Sequence, residues 1–155
     1  MEYRAVVITK GDKESWGLVP ELLDRVKTFC TKYDTDTDGI SICRLVETHF
    51  IIDNPQLFMV ACMRGDEMVG HSLASIEVYY EKRVLTIIQL ELDNVVDRDI
   101  IMKGFNAILS WGMLQGAEDV RISTGTRAKA KMLRRFYGFK PHRMVMIRPL
   151  VGQGV

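Results

Sequence analysis

Between Leu57 and Asp93 the chain runs through three apolar segments parted only by two short polar turns. LFMVACM (Leu57 to Met63) is followed by Arg64, Gly65, Asp66 and Glu67, then by MVGHSLASIEVYY (Met68 to Tyr80). Glu81, Lys82 and Arg83 then lead into VLTIIQLELD (Val84 to Asp93). Turns of this length join antiparallel neighbours, because a parallel pair needs a crossover of about a dozen residues or more. The stretch predicts a meander of three strands, and its strongly apolar third strand is expected to lie centrally in the sheet.

The flanks supply helices. Arg4 to Thr9 reads as a short strand closed by Lys10, Gly11, Asp12 and Lys13. Val19, Leu22, Leu23, Val26, Cys30 and Tyr33 then recur at helical spacing, with Pro20 suited to a first turn where its missing N–H costs nothing. A second helix is expected over Ile40 to Phe50. After the meander, Ile100 to Gln115 has helical periodicity and ends before Gly116. Val120 to Thr124 reads as a strand, Lys129 to Tyr137 as a helix closed by Gly138, and His142 to Arg148 as a last strand. The expected class is α/β: a mixed, mostly antiparallel central sheet flanked by helices. The 155 residues, 47% of them hydrophobic, suffice for one core, and no linker composition interrupts them, so residues 1–155 are expected to form a single domain.

Charge is polarised along the chain. Lys plus Arg (21) nearly cancels Asp plus Glu (20), which excludes a disordered or uniformly basic chain. Yet residues 120–155 hold nine Lys or Arg and no acid, leaving the remainder at −8. Cys30, Cys43 and Cys62 form an odd set without C-x-x-C spacing, which argues against a disulfide framework or zinc site and for a reducing compartment. The N-terminus lacks the build of a secretion signal, and no apolar run reaches the roughly 20 residues that span a bilayer. A cytoplasmic location, or one within a virion, is expected, with no membrane partner.

The element order, together with GAEDVRI (Gly116 to Ile122) and RRFYGFK (Arg134 to Lys140), resembles the GCN5-related N-acetyltransferase (GNAT) superfamily. The best local match is the Gly138-Phe139 pair that follows the fourth helix. The resemblance implies a central strand that splays from its neighbour, acetyl-CoA lying in the opening, and an amine attacking the thioester. It also implies a cofactor turn, R/Q-x-x-G-x-G/A, whose N–H groups wrap the pyrophosphate at the start of the third helix. This chain has Val96, Asp97, Arg98, Asp99, Ile100 and Ile101 there. Both glycines are replaced, and Asp97 and Asp99 would set negative charge beside the pyrophosphate. At about 4 Å and an effective dielectric near about 20, each such pairing costs about 4 kcal/mol before screening. Arg134 stands where many members carry a tyrosine that protonates the leaving thiolate, and Arg127 where members often carry an Asn. An Arg holds its proton too tightly to act as a general acid, although it can hold an anion.

Two functional expectations follow from the resemblance. One is a GNAT-like protein that has lost acetyl-CoA-dependent catalysis, needs no cofactor and serves as a structural or interaction component of an assembly; degenerate members of the superfamily occur inside phage particles. The other is an acyl-CoA-dependent N-acetyltransferase that uses acetyl-CoA at an atypical pyrophosphate site built from Arg98, Arg127 and Arg134. In that case Glu91, which shares a face of the central strand with Gln89, is the base that deprotonates the amine. Its plain alternative is a strand-end carboxylate facing solvent or paired with an Arg of the C-terminal third.

Three further signals bear on ligands and partners. DTDTDG (Asp34 to Gly39) matches the first half of a calcium loop, but position twelve is Leu45 instead of Glu, so the segment reads as an interhelix turn with Asp38 capping the second helix. His49, His71 and His142 lack metal spacing and read as structural or surface residues. Arg127, Lys131, Arg134 and Arg135 stand at i, i+4, i+7 and i+8 on one helical face. The acidic part of the same chain, a phosphate-bearing anionic ligand, or nucleic acid bound without sequence preference would offset them. Finally, Lys103 is the one charged residue from Ile100 to Ala117, and Met102, Trp111 and Met113 extend apolar surface beyond the core-facing arc. Cover by a protein partner or by self-association through that helix is expected.

Overall fold

The computed structural model describes residues 2–33, 38–52, 56–93, 98–123, 130–131, 133–135 and 138–141. The chain divides into two compact units, residues up to Ser123 and residues from Thr124 on.

The first unit runs β1 (Tyr3–Val7), α1 (Lys13–Lys32), α2 (Gly39–Ile52), β2 (Leu57–Arg64), β3 (Glu67–Tyr79), β4 (Lys82–Leu92), α3 (Arg98–Leu114) and β5 (Asp119–Ile122). The strands lie in sequence order in one sheet. Each neighbouring pair is antiparallel except β4 and β5, which α3 joins as a parallel crossover. This is the expected mixed, mostly antiparallel sheet with helices on its faces, and β4 lies inside it.

Each face of the sheet has its own helical cover. On one, Met59, Met63, Met68 and Leu73 pack with Leu22 and Val26 of α1 and with Ile42, Val46 and Phe50 of α2. On the other, Ile100 of α3 packs with Cys62, Val69 and Leu92, and Gly112 brings α3 against Leu85 of β4. Among the described residues no helix is long and apolar enough to cross a membrane.

Local chemistry moves three boundaries. Asp12 caps α1: its Oδ1 accepts from the Glu14 N–H at 3.3 Å and its Oδ2 from the Ser15 hydroxyl at 2.9 Å. The helix therefore starts at Lys13, and Pro20 sits in its interior instead of its first turn, where it has no N–H for the Trp16 carbonyl. The β3–β4 turn centres on Tyr80 and Glu81, with φ of 49° and 69°, one residue earlier than the polar run suggests. Two positive φ angles give the turn a twist that suits a two-residue hairpin, even without glycine. Helix α3 starts at Arg98, so Arg98 and Asp99 belong to its first turn. The Asp38 cap of α2 is present as expected: its carboxylate accepts from the Ser41 N–H at 2.8 Å and from the Ser41 hydroxyl at 2.9 Å.

In the second unit, residues 130–131 and 133–135 are helical. Gly138 follows with φ of 70°, and the Phe139 N–H donates to the Leu133 carbonyl at 3.2 Å. That six-residue return is the helix stop expected at Gly138. The expected strand from His142 to Arg148 lies outside the described residues.

Candidate functional site

The polar residues of the first unit converge where β4 changes its pairing. Ala74 of β3 pairs with Ile87 while Leu73 pairs with Gln89, so Ile88 is an extra residue, a β-bulge. Paired residues share a face, and Ala74 and Leu73 point to opposite faces. The bulge thus breaks the two-residue period of β4. Leu85 and Ile87 face α3, whereas Gln89 and Glu91 face α1, as their partners Leu73 and His71 do. Pairing with β5 covers Val84 to Ile87 and goes no further among the described residues. Glu91 lies on the stretch of β4 beyond this pairing and beyond the bulge.

Gln89 and His71 are buried, at 3% and 1% exposure. The Gln89 amide donates to the Val26 carbonyl at 3.1 Å and to Cys30 Sγ at 3.6 Å. Its Oε1 is then left to accept from His71 Nε2 at 2.8 Å. This network assigns the proton of the imidazole to Nε2, and Nδ1, buried, has no hydrogen-bond partner. The edge of the ring meets Phe29. Burial holds His71 below the usual imidazole range, outweighing the Gln89 hydrogen bond and the nearby Glu91.

Glu91 pairs in register with His71. Its side chain is 13% exposed, and Oε2, without a hydrogen bond, lies 3.5 Å from the ammonium of Lys32. The cation beside Glu91 thus comes from α1. One residue past β4, the two Asp93 oxygens accept from Arg25 at 3.2 Å each. Arg25 also donates to the Met68 carbonyl at 2.5 Å. Two carboxylates at the end of β4 are therefore matched by two cations of α1. To take a proton from an amine, Glu91 must come within about 2.6–3.2 Å of it, in place of Lys32 or beside it.

Of the residues considered for a pyrophosphate, each described one belongs to its own unit. Arg98 is exposed in the first turn of α3, Arg127 lies outside the described residues, and Arg134 is exposed in the helix of the second unit. Asp99 is also exposed in that first turn, and Ile100 beside it is fully buried. A helix N-terminus attracts anions through its unpaired N–H groups and dipole. Here the chain puts its own carboxylate, Asp99, at the first glycine position and half-buried Ile101 at the second. Asp99 and Ile101 thus do not supply the glycines of the turn that the resemblance implies, and residues 94–97 before them lie outside the described residues.

A cleft of about 690 Å³ in the second unit has Ala130, Lys131, Arg134 and Arg135 as its described lining. No group of three or more His, Cys, Asp or Glu residues that could hold a metal occurs among the described residues. Of the calcium-loop match, residues 34–37 lie outside them, and both Asp38 oxygens already accept from Ser41. Sequence reasoning did not find Lys32 and Arg25 as partners of the strand-end carboxylates. They lie 59 and 68 residues away along the chain, and no local spacing announces such pairs.

No protein-family model matches the chain, and no curated protein sequence does. Solved structures do match its shape. A probable acetyltransferase superposes with a TM-score of 0.71 at 13% identity, covering 97% of this chain and 99% of its own. AAC(6')-Iy, in complex with the bisubstrate analogue CoA-S-monomethyl-acetylneamine, gives a TM-score of 0.67 at 15% identity, covering 96% and 99%. Glucosamine-6-phosphate N-acetyltransferase from Arabidopsis thaliana gives 0.64 at 12% identity, covering 97% and 99%. At these identities the likeness establishes the fold, that of GNAT acetyltransferases, and nothing finer.

Proposed function

We propose that this chain keeps the acetyltransferase scaffold without acetyl-CoA-dependent catalysis and serves as a structural or interaction component of an assembly, of the kind that degenerate GNAT-like proteins form inside phage particles. The observation that carries this reading is the start of α3, where exposed Asp99 and half-buried Ile101 stand at the two glycine positions of the cofactor turn. A carboxylate in the first turn satisfies the helix dipole from within and repels a second anion. The contact surface of the assembly is the C-terminal end of α3, where Met113 and Leu114 are 76% and 85% exposed.

A second reading, an acyl-CoA-dependent N-acetyltransferase with Glu91 as base and Arg98, Arg127 and Arg134 as anion ligands, is favoured by the β4 bulge, which turns Gln89 and Glu91 to the α1 face. Calorimetric titration of acetyl-CoA into the full chain decides between them. The first reading expects no saturable heat at 100 μM ligand. A Kd tighter than about 100 μM, about −5.5 kcal/mol, overturns it and selects the second.

A further inference from the structure

We infer that the β3–β4 hairpin and the C-terminal end of α3 together dock a second copy of this chain, related by a two-fold axis. All the residues concerned belong to the first unit. Val78 pairs with Arg83, two residues before Leu85, so both share the α3 face of the sheet. A Cβ on Gly116, just past α3, would lie 3.8 Å from Arg83 Cδ, and the Glu118 N–H donates to the Arg83 carbonyl at 2.9 Å. Arg83 thus joins exposed Val78 to the end of α3, where Met113 and Leu114 are exposed. At the tip of the same hairpin Tyr80 is fully exposed with φ of 49°. A bulky side chain is disfavoured at positive φ, where Asn or Gly would relax the turn. Such strain persists where a position serves another purpose, and tyrosine is among the residues that dominate protein interfaces. An aromatic side chain alone offers about 150–250 Å². With Val78, Met113 and Leu114 the set comes close to the ~800 Å² per partner of a stable interface.

The charges around this surface select the occupant. Arg83, Glu81 and Glu118 are exposed, and among the described residues none of the three forms an ion pair, whereas neighbouring Lys82 is paired with Asp119. Arg83 and Glu118 meet through their backbones and leave both side chains uncommitted. A strongly acidic or strongly basic partner would be served by one sign alone. A surface that carries both signs side by side is complementary to itself: under a two-fold axis Arg83 faces the partner's Glu118, and Glu118 faces the partner's Arg83. At the rim of an apolar contact such pairs fix orientation and add little affinity. Acetyl-CoA binding overturns the assembly reading on which this pairing rests; a monomeric mass overturns the pairing alone.

Sedimentation velocity of the full chain from about 5 to about 500 μM should show monomer passing into dimer. Arg83→Glu and Glu118→Arg, each alone, set like charges opposite one another twice in every dimer and should raise the dimer Kd at least about tenfold. An equimolar mixture of these two variants, or both changes in one chain, restores opposite charges at both contacts. The Kd should then return to within about threefold of the wild-type value. Tyr80→Asn relaxes the turn and removes the aromatic, so it should weaken the dimer at least about tenfold without lowering the urea midpoint. A monomer at every concentration, unchanged dimerisation of Tyr80→Asn or of either single charge variant, or no recovery in the mixture overturns the inference.

Discussion

His71 carries the clearest pH signal at the level of single residues. Its imidazole is enclosed by Gln89, Phe29 and the strand-paired Glu91, with Arg25 and Asp93 acting from further off, and burial keeps its affinity for protons low. In the unfolded chain a histidine protonates near about pH 6.5. As pH falls through that value the unfolded state binds the proton first, so stability is full above it and declines below it. His49 shifts in the same direction, also by burial. Urea midpoints at pH 7.5 and pH 5.5 should therefore differ, and the difference should shrink in His71→Gln, where the His49 contribution remains. An undiminished difference in the variant would remove His71 from the account. That His71 is structural was legible in the lack of metal spacing. Its alignment with Gln89 was not, because it depends on which residue of β4 bulges.

Among the elements, the β3–β4 pair holds Glu91 and leaves the least tolerance. Gly70 pairs with Leu92, and a Cβ on Gly70 would lie 2.5 Å from Leu92 Cδ2 and 2.6 Å from the Glu91 carbonyl oxygen. The second contact is with backbone, so no rotamer relieves it. Gly70→Ala should force the strands apart at the end that carries Glu91 and destabilise the fold by about 1–3 kcal/mol. Chemical denaturation checks this, and wild-type stability in the variant would mean that the strands separate there at no cost. The same pair explains why the turns could be read while the register could not. Polar clusters mark the chain reversals, whereas the extra residues of β3 and β4, near Cys62 and at Ile88, look like any other aliphatic position.

For the whole molecule, the question raised by α3 is what covers it. Trp111 is half-buried and stacked on Phe58 of β2, with ring centroids 4.9 Å apart, so the sheet itself covers much of that position. The Lys103 ammonium donates to the Tyr3 carbonyl at 3.2 Å. Within α3 the exposed large apolar residues are Met113 and Leu114, at its C-terminal end. Self-association through this end would bury it at about 25 cal/mol per Å² before the costs of association. Light scattering should show a mean mass that rises with concentration and hardly depends on salt, and Leu114→Glu should abolish the rise. A wild-type mass that stays monomeric across the range would contradict self-association.

The strand order, the helices on either side of the meander, the Asp38 cap and the Gly138 stop were written in the sequence, because each depends on residues within one or two turns of one another. Local spacing also exposed the missing glycines before α3, since a pyrophosphate turn has to be contiguous. The candidate site itself came from tertiary structure. One inserted residue at Ile88 turns Gln89 and Glu91 from the α3 face to the α1 face, and only there do they meet His71, Val26 and Lys32. Bulges cost little and leave no mark on hydrophobic pattern, while ion pairs such as Lys32 with Glu91 join residues 59 apart. Periodicity reports which side of an element is apolar; which polar groups meet across elements is decided by register and packing, when the whole sheet closes on its helices.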